Sequence, residues 1–415
     1  MKNRFFTMLM MGTMAVSATA QISNTLSPYS QFGLGVLADQ SQGFSRGMGG
    51  LTYGLRDSKN VNMQNPASYS AIDSLTMIFD MGLSGQMTNF QEGQKKVNAK
   101  TGDFDYAVAL FRVMPKMGVS LGVVPYSNIG YSFYRTSTQN NLTSSTSYTG
   151  DGGFSQAYIG VGYEVTPHLS VGANFSYFWG KYDKSIVNAT SETNASTLTR
   201  TYSTSVSSYK LDLGAQWQQQ LSKDNLLTVG AVVGLGHKLH GDAVIDTLSV
   251  RNAFSLPFSL GVGASVLHKN SLLLGVDYTL QKWGGLDYPV LNNVAKKYTN
   301  QSGVLKDRHK LTVGADWLPS PNMLTRNFFK RIHYRAGISY ATPYYNIGTH
   351  EGPKELTVSA GFGIPIINSW NTRSVVNISA QWIHASAKDF VTENSFRINL
   401  ALTFNERWFA KWKVD

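Results

Sequence analysis

Eight histidines are the residues of this 415-residue chain best suited to holding a metal. His237 and His240 come nearest to a ligand spacing. Three apart, they would share one face of a helix, but on a strand alternate side chains face opposite ways. No carboxylate partners accompany them, so no metal is expected. The other histidines stand singly near turns or strand ends. No His-Glu-x-x-His pair occurs, and the chain offers no set of polar residues for catalysis, so neither an enzyme nor a cofactor is expected.

The informative spacing is instead a period of two. In Phe396-Arg397-Ile398-Asn399-Leu400-Ala401-Leu402-Thr403-Phe404 every second residue is large and apolar. Such alternation gives a strand one apolar face and one polar or small face. Leu227, Val229, Ala231, Val233 and Leu235 stand likewise against Thr228, Gly230, Gly234 and Gly236. A closed sheet, apolar outside and polar inside, is how a β-chain crosses a bilayer. The pattern predicts an all-β, transmembrane antiparallel β-barrel of about 14 strands over residues 71–405. A soluble sandwich would need a more charged second face than these Gly, Ser, Thr and Asn positions supply.

Predicted strands run over Leu75–Gln86, Tyr106–Arg112, Met117–Phe133, Gln156–Glu164, Leu169–Gly180, Ser203–Gln218 and Leu226–Leu239. They continue over Phe254–Leu267, Ser271–Trp283, His309–Leu318, His333–Ala341, Glu355–Ile364, Ser374–His384 and Phe396–Phe404. Short links such as Met114-Pro115-Lys116 and His268-Lys269-Asn270 alternate with long polar stretches such as Met87–Asp105, Tyr134–Ser155 and Lys181–Tyr202. Short periplasmic turns and long outer loops are the layout of such barrels. Tyr177, Trp179, Trp217, Trp283, Trp317, Tyr340 and Trp382 fall near strand ends, where a membrane interface favours aromatic rings.

Residues 1–20 read as an export signal. Lys2 and Arg4 precede a mostly apolar stretch from Phe5 to Val16, and Ala18-Thr19-Ala20 predicts cleavage near Ala20. The expected location is the outer membrane of a Gram-negative bacterium. The absence of cysteine excludes disulfides, thiolate metal sites and a lipoprotein anchor. The net charge of +11 is scattered and without a basic run. It suits anionic lipid head groups, so outer-membrane lipid is the expected partner and nucleic acid is not.

Residues 21–70 lack sustained alternation and read as an N-terminal hatch or plug. Within it Tyr29, Phe32, Leu34, Val36, Leu37 and Phe44 carry enough apolar surface to line a pocket for a hydrophobic small molecule; packing against the wall is the alternative. Asn65-Pro66-Ala67 marks the junction with the barrel. In the third strand Pro125, flanked by Gly122 and Gly130, either forms a bulge that opens a lateral gate or lies above the membrane. Residues 406–415 are expected to form an interfacial tail on the periplasmic side.

Arg46-Gly47-Met48-Gly49-Gly50, Asn65-Pro66-Ala67, Ser395–Leu400 and Thr403–Phe409 together resemble the FadL-type family of outer-membrane proteins, in its Bacteroidota branch. The resemblance implies a fourteen-stranded barrel with a hatch. It also implies uptake of small hydrophobic or amphipathic molecules through a gap at a kinked third strand; a carboxylate head group would then need a cationic pair, for which Arg112, Lys116 and Arg135 are the candidates and none forms an evident pair. The same branch implies an alternative: a non-transporting barrel subunit of an outer-membrane protein complex, similar to the type IX secretion barrel.

Overall fold

The structure is a computed structural model that describes residues 27–139, 142–190, 197–292, 297–321, 325–366 and 374–407. Fourteen wall strands form one antiparallel sheet. They are β1 (Thr76–Glu92), β2 (Lys95–Met114), β3 (Met117–Gln139), β4 (Leu142–Thr166), β5 (Leu169–Thr190), β6 (Leu198–Ser222) and β7 (Asn225–Gly234). Then come β8 (Phe258–His268), β9 (Leu272–Lys282), β10 (Arg308–Trp317), β11 (His333–Ala341), β12 (Lys354–Ile366), β13 (Ser374–Ser386) and β14 (Thr392–Arg407). Each pairs with its successor, and β1 pairs with β14 from Thr76↔Arg407 to Gln91↔Thr392, which closes the barrel.

The alternation maps directly onto the wall. On β14 the side chains of Ile398 and Leu400 are each 51% exposed, whereas Asn399 and Thr403 are 2% and 0% exposed. This inverted pattern is stable only where lipid solvates the outer face. The tight links follow from local geometry. Lys116, Lys269 and Asn270 adopt φ of 68°, 52° and 53°, the left-handed conformation that reverses a chain in two or three residues.

The long polar stretches are not loops in the first half of the barrel. Strands β3 to β6 contain 23, 25, 22 and 25 residues and carry the ladder well beyond the predicted ends. Beyond the bilayer water wets both faces, so the apolar half of the alternation vanishes while backbone pairing continues. In the second half, β7 ends at Gly234 rather than Leu239. Pro257 separates β8 from the short Ser255–Leu256 strand, which pairs with His237–Lys238. Trp283 belongs to no interfacial belt: it is fully buried. The signal segment and the tail after Arg407 lie outside the described residues.

Residues 27–75 pack against the inward faces of the wall. Gln216 of β6 donates to the carbonyls of Tyr53 and Leu55 at 3.0 and 2.9 Å. Ser265 of β8 donates to Gly54 at 2.7 Å, and Asp277 of β9 accepts from the Tyr53 amide at 2.9 Å. Ser359 of β12 and Gln381 of β13 donate to Gly47 and Arg46 at 3.1 and 3.3 Å. Glycines permit the closest approach. A Cβ at Gly314 or Gly337 would overlap Met48, and one at Gly162 or Gly172 would overlap Pro66.

Candidate functional site

The wall is not continuous. β2 and β3 pair from Met114↔Met117 to Ala107↔Val123, and there the ladder stops although both strands run on. Each rim of the resulting gap carries a bulge. The β3–β4 register shifts between Pro125 and Ser127, which leaves Tyr126 as an extra residue. The β1–β2 register shifts between Gly82 and Leu83, which leaves Asp105 extra. Proline has no amide proton for a ladder, and a bulge turns the strand.

Both rims are tied to residues 27–75. On the β3 rim, Val36 and Leu37 form a short strand opposite Asn128 and Ser127. The Ala38 amide donates to Tyr126 and the Ser27 amide to Gly130, both at 2.9 Å. On the β2 rim, Arg46 meets Asp105 at 2.6 Å and donates to Asn399 at 2.9 Å and to the Ser41 and Asp39 carbonyls at 3.0 and 3.1 Å. Its guanidinium lies 5.6 Å from the Tyr106 ring centroid. The Tyr106 hydroxyl accepts from the Gly43 amide at 2.6 Å and donates to Asp80 at 3.0 Å. Burial disfavours the charge on Arg46, but Asp105 and Asp39 outweigh it and hold the guanidinium above its ordinary pKa. At the outer end of the gap, Arg135 meets Glu92 at 3.2 Å.

Inside the barrel lies a cavity of about 270 Å³, lined by Asp39, Lys210, Asp212, Arg308, Lys310 and Arg397 among others. Arg308 and Lys310 occupy successive inward positions on β10. Among the described residues neither has a carboxylate within ion-pair distance. Burial would raise the Asp39 carboxyl, but Arg46, Lys310 and Ser41 hold it below the usual carboxylate range. The lining sets these charges among apolar and aromatic side chains such as Val36, Leu37, Tyr126 and Leu256.

Above it an aromatic cap lies toward the outer end. Tyr126, Phe154 and Phe178 from the wall join Phe254, Trp283 and Tyr344 from the connections in one buried cluster. Ring centroids of Trp283 and Tyr344 are 4.9 Å apart. Tyr345 and Tyr288 donate to the carbonyls of Tyr29 and Gly33 at 3.1 and 3.0 Å, and Tyr344 donates to Gly35. The cap is thus bonded to the same segment, residues 27–38, that lines the β3 rim.

The family model for BamG matches residues 1–415, the whole chain. The chain belongs to the BamG family. No curated protein matches this BamG-family chain. Solved structures similar in fold include the toluene transporter TbuX of Ralstonia pickettii, with a TM-score of 0.59 at 16% identity, covering 91% of this chain and 100% of that one. The toluene transporter TodX of Pseudomonas putida gives 0.56 at 13% identity over 88% and 98%. A FadL homologue of Pseudomonas aeruginosa gives 0.55 at 12% over 89% and 98%. At these identities the likeness is one of fold.

In this BamG-family barrel the residues singled out from sequence fall into separate places. Leu34 belongs to the cap cluster, with Phe32 and Leu37 packed against it. Tyr29 packs on Phe390, with ring centroids 5.1 Å apart. Tyr29, Val36 and Leu37 reach the cavity, whereas Phe44 sits apart with Met48, Leu51 and Leu55. Asn65 caps the Pro66–Ala71 turn, its side chain accepting from Ala67 at 3.2 Å and donating to Tyr53 at 2.8 Å. Gly122 lies in the last paired stretch below the gap, Pro125 at its start and Gly130 on its rim. Arg112 of β2 and Lys116 of the β2–β3 link line a second cavity of about 320 Å³ at the inner end, whereas Arg135 lies near the far end of β3. Gly43-Phe44-Ser45-Arg46-Gly47 also matches a Gly-x-Ser-x-Gly pattern. Ser45 is wholly buried and its hydroxyl donates to the Gln42 carbonyl at 3.1 Å, so it is placed as a turn residue, not a nucleophile.

Proposed function

We propose that this chain is a barrel subunit of an outer-membrane protein assembly, with a closed lumen. One observation carries the reading: the barrel is filled at both levels. Below the cavity the backbone of residues 47–66 abuts wall glycines. Above it the aromatic cap is bonded to residues 29–35. Membership of the BamG family supports work within an outer-membrane complex. Residues 27–75 then serve as an internal brace, and the long outer extensions of β3 to β6 offer contact surface. Native mass spectrometry of the protein extracted from its own membrane in mild detergent tests this. A fixed additional polypeptide mass is expected. A barrel alone, carrying a discrete amphiphile, would overturn it.

The gap and the cavity favour a second reading, uptake of an amphipathic solute. In that case residues 27–75 act as the hatch, the gap as the lateral gate, and Arg308 with Lys310 receives an anionic head group. Charge-assisted bonds to such a head group are the strong ones. Arg308→Ala with Lys310→Ala should then abolish binding of laurate, used as the probe, while the barrel still inserts. Laurate binding unchanged in the double variant sinks this reading.

A further inference from the structure

The rim of β3 above Gly130 is an unpaired strand edge, and the backbone parity along it is fixed. Gly130 turns both its groups to the gap: its carbonyl accepts from the Ser27 amide at 2.9 Å and its amide donates to the Ser30 hydroxyl at 3.1 Å. No register shift occurs between Ser127 and Gln139. Ser132, Tyr134, Thr136 and Thr138 therefore present amide and carbonyl the same way, while the residues between them bond to β4. Among the described residues no strand lies beside these four. Tyr134 is 74% exposed.

Such an edge is a template for another strand. This one already accepts Val36 and Leu37 just below. Its surroundings select the partner's charge. Lys95, Lys96 and Lys100 are exposed on the opposite rim, and Arg135 is exposed on β3 itself. The acids near this edge are few: Asp105 on the rim is held by Arg46, and Glu92 at the end of β1 by Arg135, which leaves Asp103 on β2 and the exposed Asp151 on β4, opposite Gly130. Continuing the Ala107↔Val123 register would set Lys95 opposite Arg135. The Arg135–Glu92 bridge is exposed and therefore weak. We infer that the β3 edge from Ser132 to Thr138 docks an acidic, extended segment of a partner protein, added as a strand between the rims. The inference rests on the reading of this chain as an assembly subunit.

The test uses the full-length protein in its own outer membrane, with carbodiimide coupling of amines to carboxylates before extraction. Coupling of Lys95, Lys96 and Lys100 to acidic residues of one partner segment is expected. Thr136→Pro removes an edge amide without touching the β4 ladder, and recovery of the complex should fall by about tenfold. Thr136→Ala should leave it unchanged, and heat-modifiable migration reports that each barrel is folded. Lys95→Glu with Lys96→Glu and Lys100→Glu should weaken the complex equally with the backbone intact. A complex that survives both changes and is lost only on altering the outer connections would overturn the docking edge but not the assembly reading. Coupling only to a second copy of this chain, or lipopolysaccharide as the sole occupant, would overturn it as well. A wild-type barrel with no partner at all would overturn both.

Discussion

Arg46 ties residues 39–46 to the β2 rim and to β14. It is almost wholly buried and joins Asp105, Asn399 and two backbone carbonyls. Removing one partner of a buried pair leaves the other charge uncompensated, at a cost of about 3–5 kcal/mol. Arg46→Ala should therefore expose residues 27–75 to added protease, and Asp105→Asn in the same chain should restore part of the protection. Asp39 gives a pH signature. Its folded pKa lies below its ordinary value, so its stabilisation is present above the unfolded pKa of about 4 and is lost as pH falls through the folded value. The unfolding midpoint of the wild type should exceed that of Asp39→Asn at neutral pH, and the difference should shrink below about pH 4. Arg46 stood out in the sequence only as part of a resemblance. Its partner Asp105 did not stand out, because a bulge, not a spacing, turns it inward.

At the scale of elements, residues 47–66 and the wall are matched backbone to backbone. A Cβ at Gly337 would overlap the Met48 carbonyl carbon and the Gly49 amide. Gly337→Ala should cost roughly 1–3 kcal/mol by overpacking and raise amide exchange across residues 44–55, with the wall unchanged. Gly285 has nothing within 4 Å, so Gly285→Ala should be silent in the same measurement. The lipid face is tested at Leu400, whose side chain points out from β14. Leu400→Arg should lower barrel stability by about 2–4 kcal/mol, the penalty for a cation near the bilayer midplane, read as a lower urea midpoint. These strands were legible because lipid allows only one kind of side chain on the outer face. Their outer extensions were not, since water imposes no such rule.

For the whole molecule, the question of transport or assembly turns on how one gapped wall, one internal segment and one cap fit together. Filling the lumen further separates the two. Gly234 lines the cavity, so Gly234→Trp should block uptake if solute passes and leave an assembly intact if none does; binding of laurate alongside recovery of the complex reads both. By itself the sequence determined the barrel, the strand count and the place of the irregular third strand, because each is written in local alternation, turn residues and a proline. Only the tertiary structure decided which residues face one another across the lumen. Arg308 and Lys310 look in sequence like ordinary strand cations; closure sets them side by side in the cavity, with Asp39 near enough to feel the charge of Lys310 but, among the described residues, no carboxylate within ion-pair distance of either. Trp283 looks interfacial until the outer connections fold inward over it. The open edge of β3 exists because two bulges, at Asp105 and Tyr126, part strands that are neighbours along the chain. Contacts of that kind depend on three-dimensional closure, which a one-dimensional pattern does not encode.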